Sequence, residues 1–304
     1  MPTVKANGIE LDYGVLGDPL APTVLLIMGL GMPAALWPDA VIQGLVSRGF
    51  RVVYFDNRDC GGSTRLSGVR GGSVPLAIVR ALLRRQVRAP YNLDDMAADA
   101  VGLLDALGIA RAHVVGASMG GMIAQVLAAR YPQRVISLTS IMSSSGNPSR
   151  KIAFGTRRAL QALLRPPPPP GDIQAVAEHL LRVFAVIGSP GIAQDPSALR
   201  SHFERVARRG LYRQGTERQL LAILASGDRR ALLGKVSAPT LVVHGAADPL
   251  VPLAAGLDTA AHIPGARMEV IMGMGHDFPD SLMPQLTNTI AVHCRAHADP
   301  PRAA

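Results

Sequence analysis

The chain has 304 residues, 48% of them hydrophobic, enough to bury the core of one large domain with an insertion; aromatics make up only 4%, so that core has to be aliphatic. A formal charge of +9 and a pI near 10.3 raise nucleic acid or an anionic membrane as partners. Yet only Lys5, Lys151 and Lys235 are lysine, and the arginines are scattered through segments rich in Ala, Gly and Pro, which argues for a coding bias and against a nucleic-acid patch.

In chain order, Val4 and Ile9–Leu16 read as an antiparallel start turning at Asn7-Gly8. Residues 1–12 are polar, and the first apolar stretch, Val24–Met28, is a strand too short for an export signal or membrane span, so a cytoplasmic protein is expected. A helix over Pro38–Arg48 and a strand over Arg51–Phe55 follow. Pro75–Arg88 is apolar on one helical face and carries arginine on the other. Such a helix either lies on lipid headgroups or covers the core with its apolar side, and the second is expected, leaving membrane association as a lesser option through 75–88. Asn92 and Asp95 cap a helix over Leu93–Leu107 that Gly108 ends.

A strand over Ala112–Val115 then runs into Gly116-Ala117-Ser118-Met119-Gly120 and a helix over Met119–Arg130, closed by Tyr131-Pro132. With the strand Val135–Met142, the alternation to about Ile141 argues for an α/β fold with a mostly parallel sheet and helices on both faces. The alternation then stops. Residues 143–236 hold helical runs at Lys151–Leu164, Ile173–Val186, Pro196–Arg209 and Thr216–Ala225, with Pro166–Pro170 as a stiff spacer. They are expected to form a helical cap (lid) inserted into a core of residues 1–142 and 237–304, folding over the sheet edge where open α/β sheets bind ligands. Strands at Thr240–His244 and Met268–Met272 complete the core.

Three loops after strands carry the chemistry. A strand that reverses into a helix within a few residues needs glycine at 116 and 120, and forces Ser118 into a strained, exposed turn. A serine hydroxyl is a poor nucleophile until a base takes its proton and a carboxylate orients that base. Asp248 lies on the turn after one strand and His276 on a glycine-hinged loop after the next, in the order this chemistry takes on an α/β sheet. Asp277, adjacent to the histidine, is poorly placed to reach its far ring nitrogen, so Asp248 is preferred. The remaining histidines show no metal-ligand spacing. Cys60 and Cys294 show no metal, redox or disulfide spacing, which suits a reducing compartment, and Cys60 reads as a small turn residue with no base assigned to it.

With these residues the chain resembles the α/β-hydrolase family from Asn7 to about Ala296, and it is similar to bacterial ester hydrolases of the aclacinomycin-methylesterase-like group. Leu25-Leu26-Ile27-Met28-Gly29-Leu30-Gly31 stands where the family has its oxyanion loop, with Met28 in place of the usual histidine. Asp56-Asn57-Arg58-Asp59-Cys60-Gly61-Gly62-Ser63 resembles the family's Asp-x-Arg-Gly-x-Gly-x-Ser loop, with Asp59 in place of glycine.

The resemblance implies the α/β-hydrolase fold with an inserted cap, a serine carboxylesterase with Ser118, Asp248 and His276 as its catalytic triad, and an oxyanion hole made by the N–H groups of Leu30 and Met119. It implies no cofactor and no metal. Methionines around the motifs, with Gly29, suggest a soft apolar substrate site built from Met28, Met32, Met142 and Met274. A small or medium-sized ester is the expected partner, with no nucleic acid. A C–C bond hydrolase, lactonase or cofactor-free perhydrolase on the same scaffold, and a non-catalytic binding protein of this fold, stay open.

Overall fold

Residues 1–298, apart from 70, 150, 151, 153, 154 and 170, are described by a computed structural model. Strands β1 (Thr3–Ala6), β2 (Ile9–Leu16), β3 (Thr23–Ile27), β4 (Arg51–Phe55), β5 (Ala112–Ala117), β6 (Val135–Ile141), β7 (Thr240–Gly245) and β8 (Arg267–Ile271) form an eight-stranded sheet in the order β1-β2-β4-β3-β5-β6-β7-β8. β1 and β2 pair antiparallel through the Asn7-Gly8 turn, both residues at positive φ, and β2 pairs antiparallel with β4. All other pairings are parallel. Strands β3, β5, β6 and β7 are buried along their whole length, which is why they read as nearly continuous apolar runs.

Alternate strand residues feed two core layers. Leu25, Ile27, Val53 and Val114 pack toward α3 (Leu93–Ala106) and α4 (Met119–Arg130), whereas Val24, Leu26, Val52 and Val115 pack toward α1 (Asp39–Val46) and the C-terminal helix. The Asn92–Asp95 capping box that starts α3 is formed reciprocally, as its residues predict.

The helix expected over Pro75–Arg88 is α2 (Val74–Leu82), and its packing differs from expectation. Its small side, Ala77 and Ala81, meets Leu221 and Leu224, while Leu76, Val79, Leu82 and Leu83 stay 50–62% exposed. Two alanines let the helices approach closely, so the bulky aliphatic side is the one left outside.

Between β6 and β7 lie α5 (Arg157–Leu163), α6 (Ile173–Ile187), α7 (Pro196–Arg209), α8 (Arg213–Ser226) and a short α9 (Arg230–Leu233). The start of the helix expected at Lys151 and the last proline of the 166–170 run lie partly outside the described residues. After β7 come α10 (Leu253–His262) and α11 (Met283–Ala296).

Asp59 takes the left-handed backbone (φ 64°) that glycine adopts most readily. Its carboxylate compensates: it accepts two hydrogen bonds from the Arg218 guanidinium at 2.7 and 2.8 Å, one from Tyr91 Oη and one from the Leu66 N–H. Both side chains of the ion pair are nearly inaccessible. Arg218→Ala should therefore destabilise the fold by about 3–5 kcal/mol, because it leaves a buried carboxylate unpaired. Adding Asp59→Gly should recover part of that loss, as read by denaturant unfolding.

Candidate active site

The turn that carries Ser118 is a packing constraint before it is a chemical one. A Cβ on Gly120 would stand 2.0 Å from the Ile27 carbonyl oxygen, and one on Gly116 2.1 Å from the Gly120 oxygen. Only glycine lets α4 begin this close to β3 and β5. Between them Ser118 is held at φ 56°, ψ −121°, strained for a residue with a Cβ. It is pinned by its own N–H to the Ile141 oxygen (2.9 Å) and by the Ser143 hydroxyl to its carbonyl (2.8 Å).

The three loops meet at the sheet edge. Ser118 Oγ lies 3.0 Å from His276 Nε2, and His276 Nδ1 lies 2.7 Å from Asp248 Oδ2. An ionised carboxylate only accepts, so Nδ1–H donates to Asp248 and Nε2 is left to accept from the serine hydroxyl. The other Asp248 oxygen accepts the N–H groups of Leu250 (2.9 Å) and Val251 (2.8 Å), which fixes the carboxylate on its turn. His244 sits behind Asp248 at 3.7 Å, with Nε2 donating to the Val251 oxygen; burial lowers its pKa and favours the neutral ring.

Asp277 is turned away from the imidazole. It accepts from Ser189 Oγ (2.5 Å) and Gln194 Nε2 (3.2 Å), and burial raises its pKa. Ser189 also accepts the Gly275 N–H (2.8 Å), and the Ile187 carbonyl, at the end of α6, accepts the His276 N–H (2.8 Å). The loop bearing His276 is thus stitched to the helices between β6 and β7.

The Met28–Gly31 loop runs beside Ser118, close enough that a Cβ on Gly29 would touch the serine Cβ at 3.1 Å. Asn57 Nδ2 donates to the Met28 oxygen (2.9 Å). From α8, the fully buried Gln219 accepts the Gly31 N–H (2.7 Å) and donates to the Arg58 oxygen (2.7 Å). Among the described residues neither the Leu30 nor the Met119 N–H has an acceptor. Gln219 was not legible as a site residue: an isolated glutamine in a polar helical run carries no signal, and only the tertiary fold brings it to the loop.

A cavity of about 740 Å³ opens onto Ser118 and His276. Met28, Gly29, Met32 and Met142 line it, together with Leu30, Met119 and Met122. Met274 does not: it is fully buried in the core layer against α11, because its place in the tight turn after β8 directs it inward. Met272 points to solvent. Cys60 is buried, and desolvation pushes its thiol well above the ordinary range, which leaves no reactive thiolate in the Asp56–Ser63 loop. Among the described residues no group of His, Cys, Asp and Glu is gathered in a way that could hold a metal ion.

A rhodomycin D methylesterase from Streptomyces sp. (strain C5) is 28% identical over 97% of this chain and 99% of its own length. A 2-hydroxy-6-oxononadienedioate/2-hydroxy-6-oxononatrienedioate hydrolase from Paraburkholderia xenovorans is 29% identical over 88% of this chain and 84% of its own. Among solved structures, the enol-lactonase from Burkholderia xenovorans superposes with a TM-score of 0.72 at 24% identity, covering 97% of this chain and 100% of that one. The family model described as the alpha/beta hydrolase fold matches residues 22–280, a span that runs from β3 through both loops paired with Ser118, and the chain belongs to that family.

Proposed function

We propose that the protein is a serine ester hydrolase working through an acyl-enzyme intermediate, with Ser118 as nucleophile, His276 as general base and acid, and Asp248 as the orienting carboxylate. The observation that carries this reading is the unbroken hydrogen-bonded relay from Ser118 through His276 to Asp248, opening into an apolar cavity. The likeness to methylesterases over nearly the full chain supports ester cleavage.

In this mechanism His276 Nε2 takes the hydroxyl proton as Ser118 Oγ attacks the ester carbonyl carbon, and the imidazolium is held by Asp248. The carbonyl oxygen, now an oxyanion, accepts from the N–H groups of Met119, at the positive end of α4, and Leu30; loss of one such donor costs roughly 3 kcal/mol of barrier. Collapse of the adduct expels the alcohol, which takes its proton from His276, and water activated by the same ring releases the acid. The segment 143–236 serves as the cap that closes the cavity, and the methionine and aliphatic lining selects an apolar ester of small to medium size, within the volume range of ordinary small-ligand sites. Two buried, unpaired cysteines suit the cytoplasm.

A panel of p-nitrophenyl esters of increasing acyl length tests this. Short and medium chains should be hydrolysed, with Ser118→Ala lowering kcat by about 10³-fold or more and abolishing labelling by a fluorophosphonate. Unchanged turnover in that variant would reject the mechanism, and labelling with no ester turnover would move the assignment to lactone or C–C bond cleavage. Gln219→Leu should lower kcat about tenfold or more with little change in KM, since it frees the loop that presents the Leu30 N–H. It should also cost about 1–3 kcal/mol of stability through the Gly31 N–H and Arg58 carbonyl left unpaired.

A further inference from the structure

The mouth of the cavity bears a surface that ester hydrolysis does not use. On α2 and the turn after it, Leu76, Val79, Leu82 and Leu83 are 50–62% exposed, and the spacing of 76, 79 and 83 places these three on one helical face. A further exposed leucine bordering the same cavity is Leu164, just after α5, which is 49% exposed. Leu82 and Leu164 both line the cavity, so the exposed apolar surface is continuous with its interior. Single exposed leucines are ordinary, but a group of this kind at a cavity mouth marks an interaction surface.

The same rim is strongly basic. Arg80, Arg84, Arg85 and Arg88 lie among and after the first group and Arg157, Arg158 and Arg165 on either side of Leu164; all are exposed, neither 71–91 nor 155–171 contains a single Asp or Glu, and Asp228, which also lines the cavity, is paired with Arg230. Arg84, at φ 53°, ends the helix, and the Arg80 Nε–H holds the Gln86 carbonyl at 3.0 Å, folding the arginine turn back beside the leucines. Arg84 and Arg85 themselves border the cavity.

We propose that this rim docks onto an anionic lipid bilayer, with the leucines entering the acyl boundary and the arginines among the phosphate headgroups, so that the cavity opens toward the membrane and takes an apolar substrate from it. A nucleic acid would satisfy the arginines and leave the leucines in water. A second copy of this chain would bring two arginine-rich rims together. Only a surface that is both anionic and apolar just beneath matches both features.

The docking needs no chemistry at Ser118, so the full-length Ser118→Ala protein is the material for the test: cosedimentation with vesicles of phosphatidylcholine alone or mixed with phosphatidylglycerol. Binding to the mixed vesicles should exceed binding to phosphatidylcholine by about tenfold or more and weaken with added salt. Leu76→Ser with Val79→Ser and Leu83→Ser should lower that binding about tenfold or more, and Arg80→Gln with Arg88→Gln by ~3-fold or more. In the Ser118 background both variants should keep wild-type thermal melting and turnover of a water-soluble ester. Equal binding to both vesicles, binding undiminished in the folded leucine variant, or a leucine-dependent dimer without vesicle binding would each overturn the proposal, whatever the outcome of the ester assays.

Discussion

The close approach of three backbones at Gly116, Gly120 and Ile27 is the constraint from which the site follows. Because α4 starts within van der Waals contact of β3 and β5, the residue between strand and helix has no room for an ordinary turn and is driven to positive φ. That single distortion lifts the Ser118 hydroxyl out of the sheet plane, aims the first N–H of α4 at the same space, and brings the Met28–Gly31 loop alongside. The Ser118 hydroxyl and the N–H groups proposed as oxyanion donors are therefore products of one packing event. The imidazole and carboxylate come from β8 and β7, and they arrive at the same edge because parallel strands all end on the same side of the sheet.

Buried charge organises the second layer. The Asp56–Ser63 loop presents carboxylates inward, and the helices between β6 and β7 answer with arginines: Arg209 to Asp12 and Asp56, each at 2.6 Å, and Arg218 to Asp59. Within the core Arg58 pairs with Asp99, also at 2.6 Å. Part of the arginine content, which composition alone assigns to coding bias, is thus structural and charge-balanced, and its planar forks suit bidentate carboxylates where lysine would not. The arginines of 71–91 and 155–171 instead lie in two stretches that contain no Asp or Glu.

How much of this could be read beforehand depended on whether the signal was local. Strand–helix alternation and glycine punctuation made the sheet and the elbow legible, and Ser118, Asp248 and His276 stood out as candidates because each lies on a turn after a strand, the first two after strands buried along their whole length. Gln219 was not, since its role arises from residues far apart in the chain. Met274 was misjudged because proximity to His276 in sequence does not say which way a side chain points after a tight turn. For α2 the amphipathic pattern was plain, but a pattern shows only that a helix has two faces; the pair of alanines that chose the buried one acts through packing against α8. Asp59 shows the opposite case, an unfavourable residue kept in a glycine's conformation by partners invisible from the motif itself.

The helices above the cavity are joined to the core at two seams: Arg209, Arg218 and Gln219 at one, and Ile187 and Ser189 at the other. One seam ends on the loop beside Ser118 and the other on the loop that carries the His276 imidazole. The segment is therefore no detachable cover. Exchanging it for a relative's would therefore disturb the loops beside Ser118 and bearing His276 as well, because residues 187–189 and 209–219 hold them, and an exchange that respects these residues has only the stretches between in which to vary.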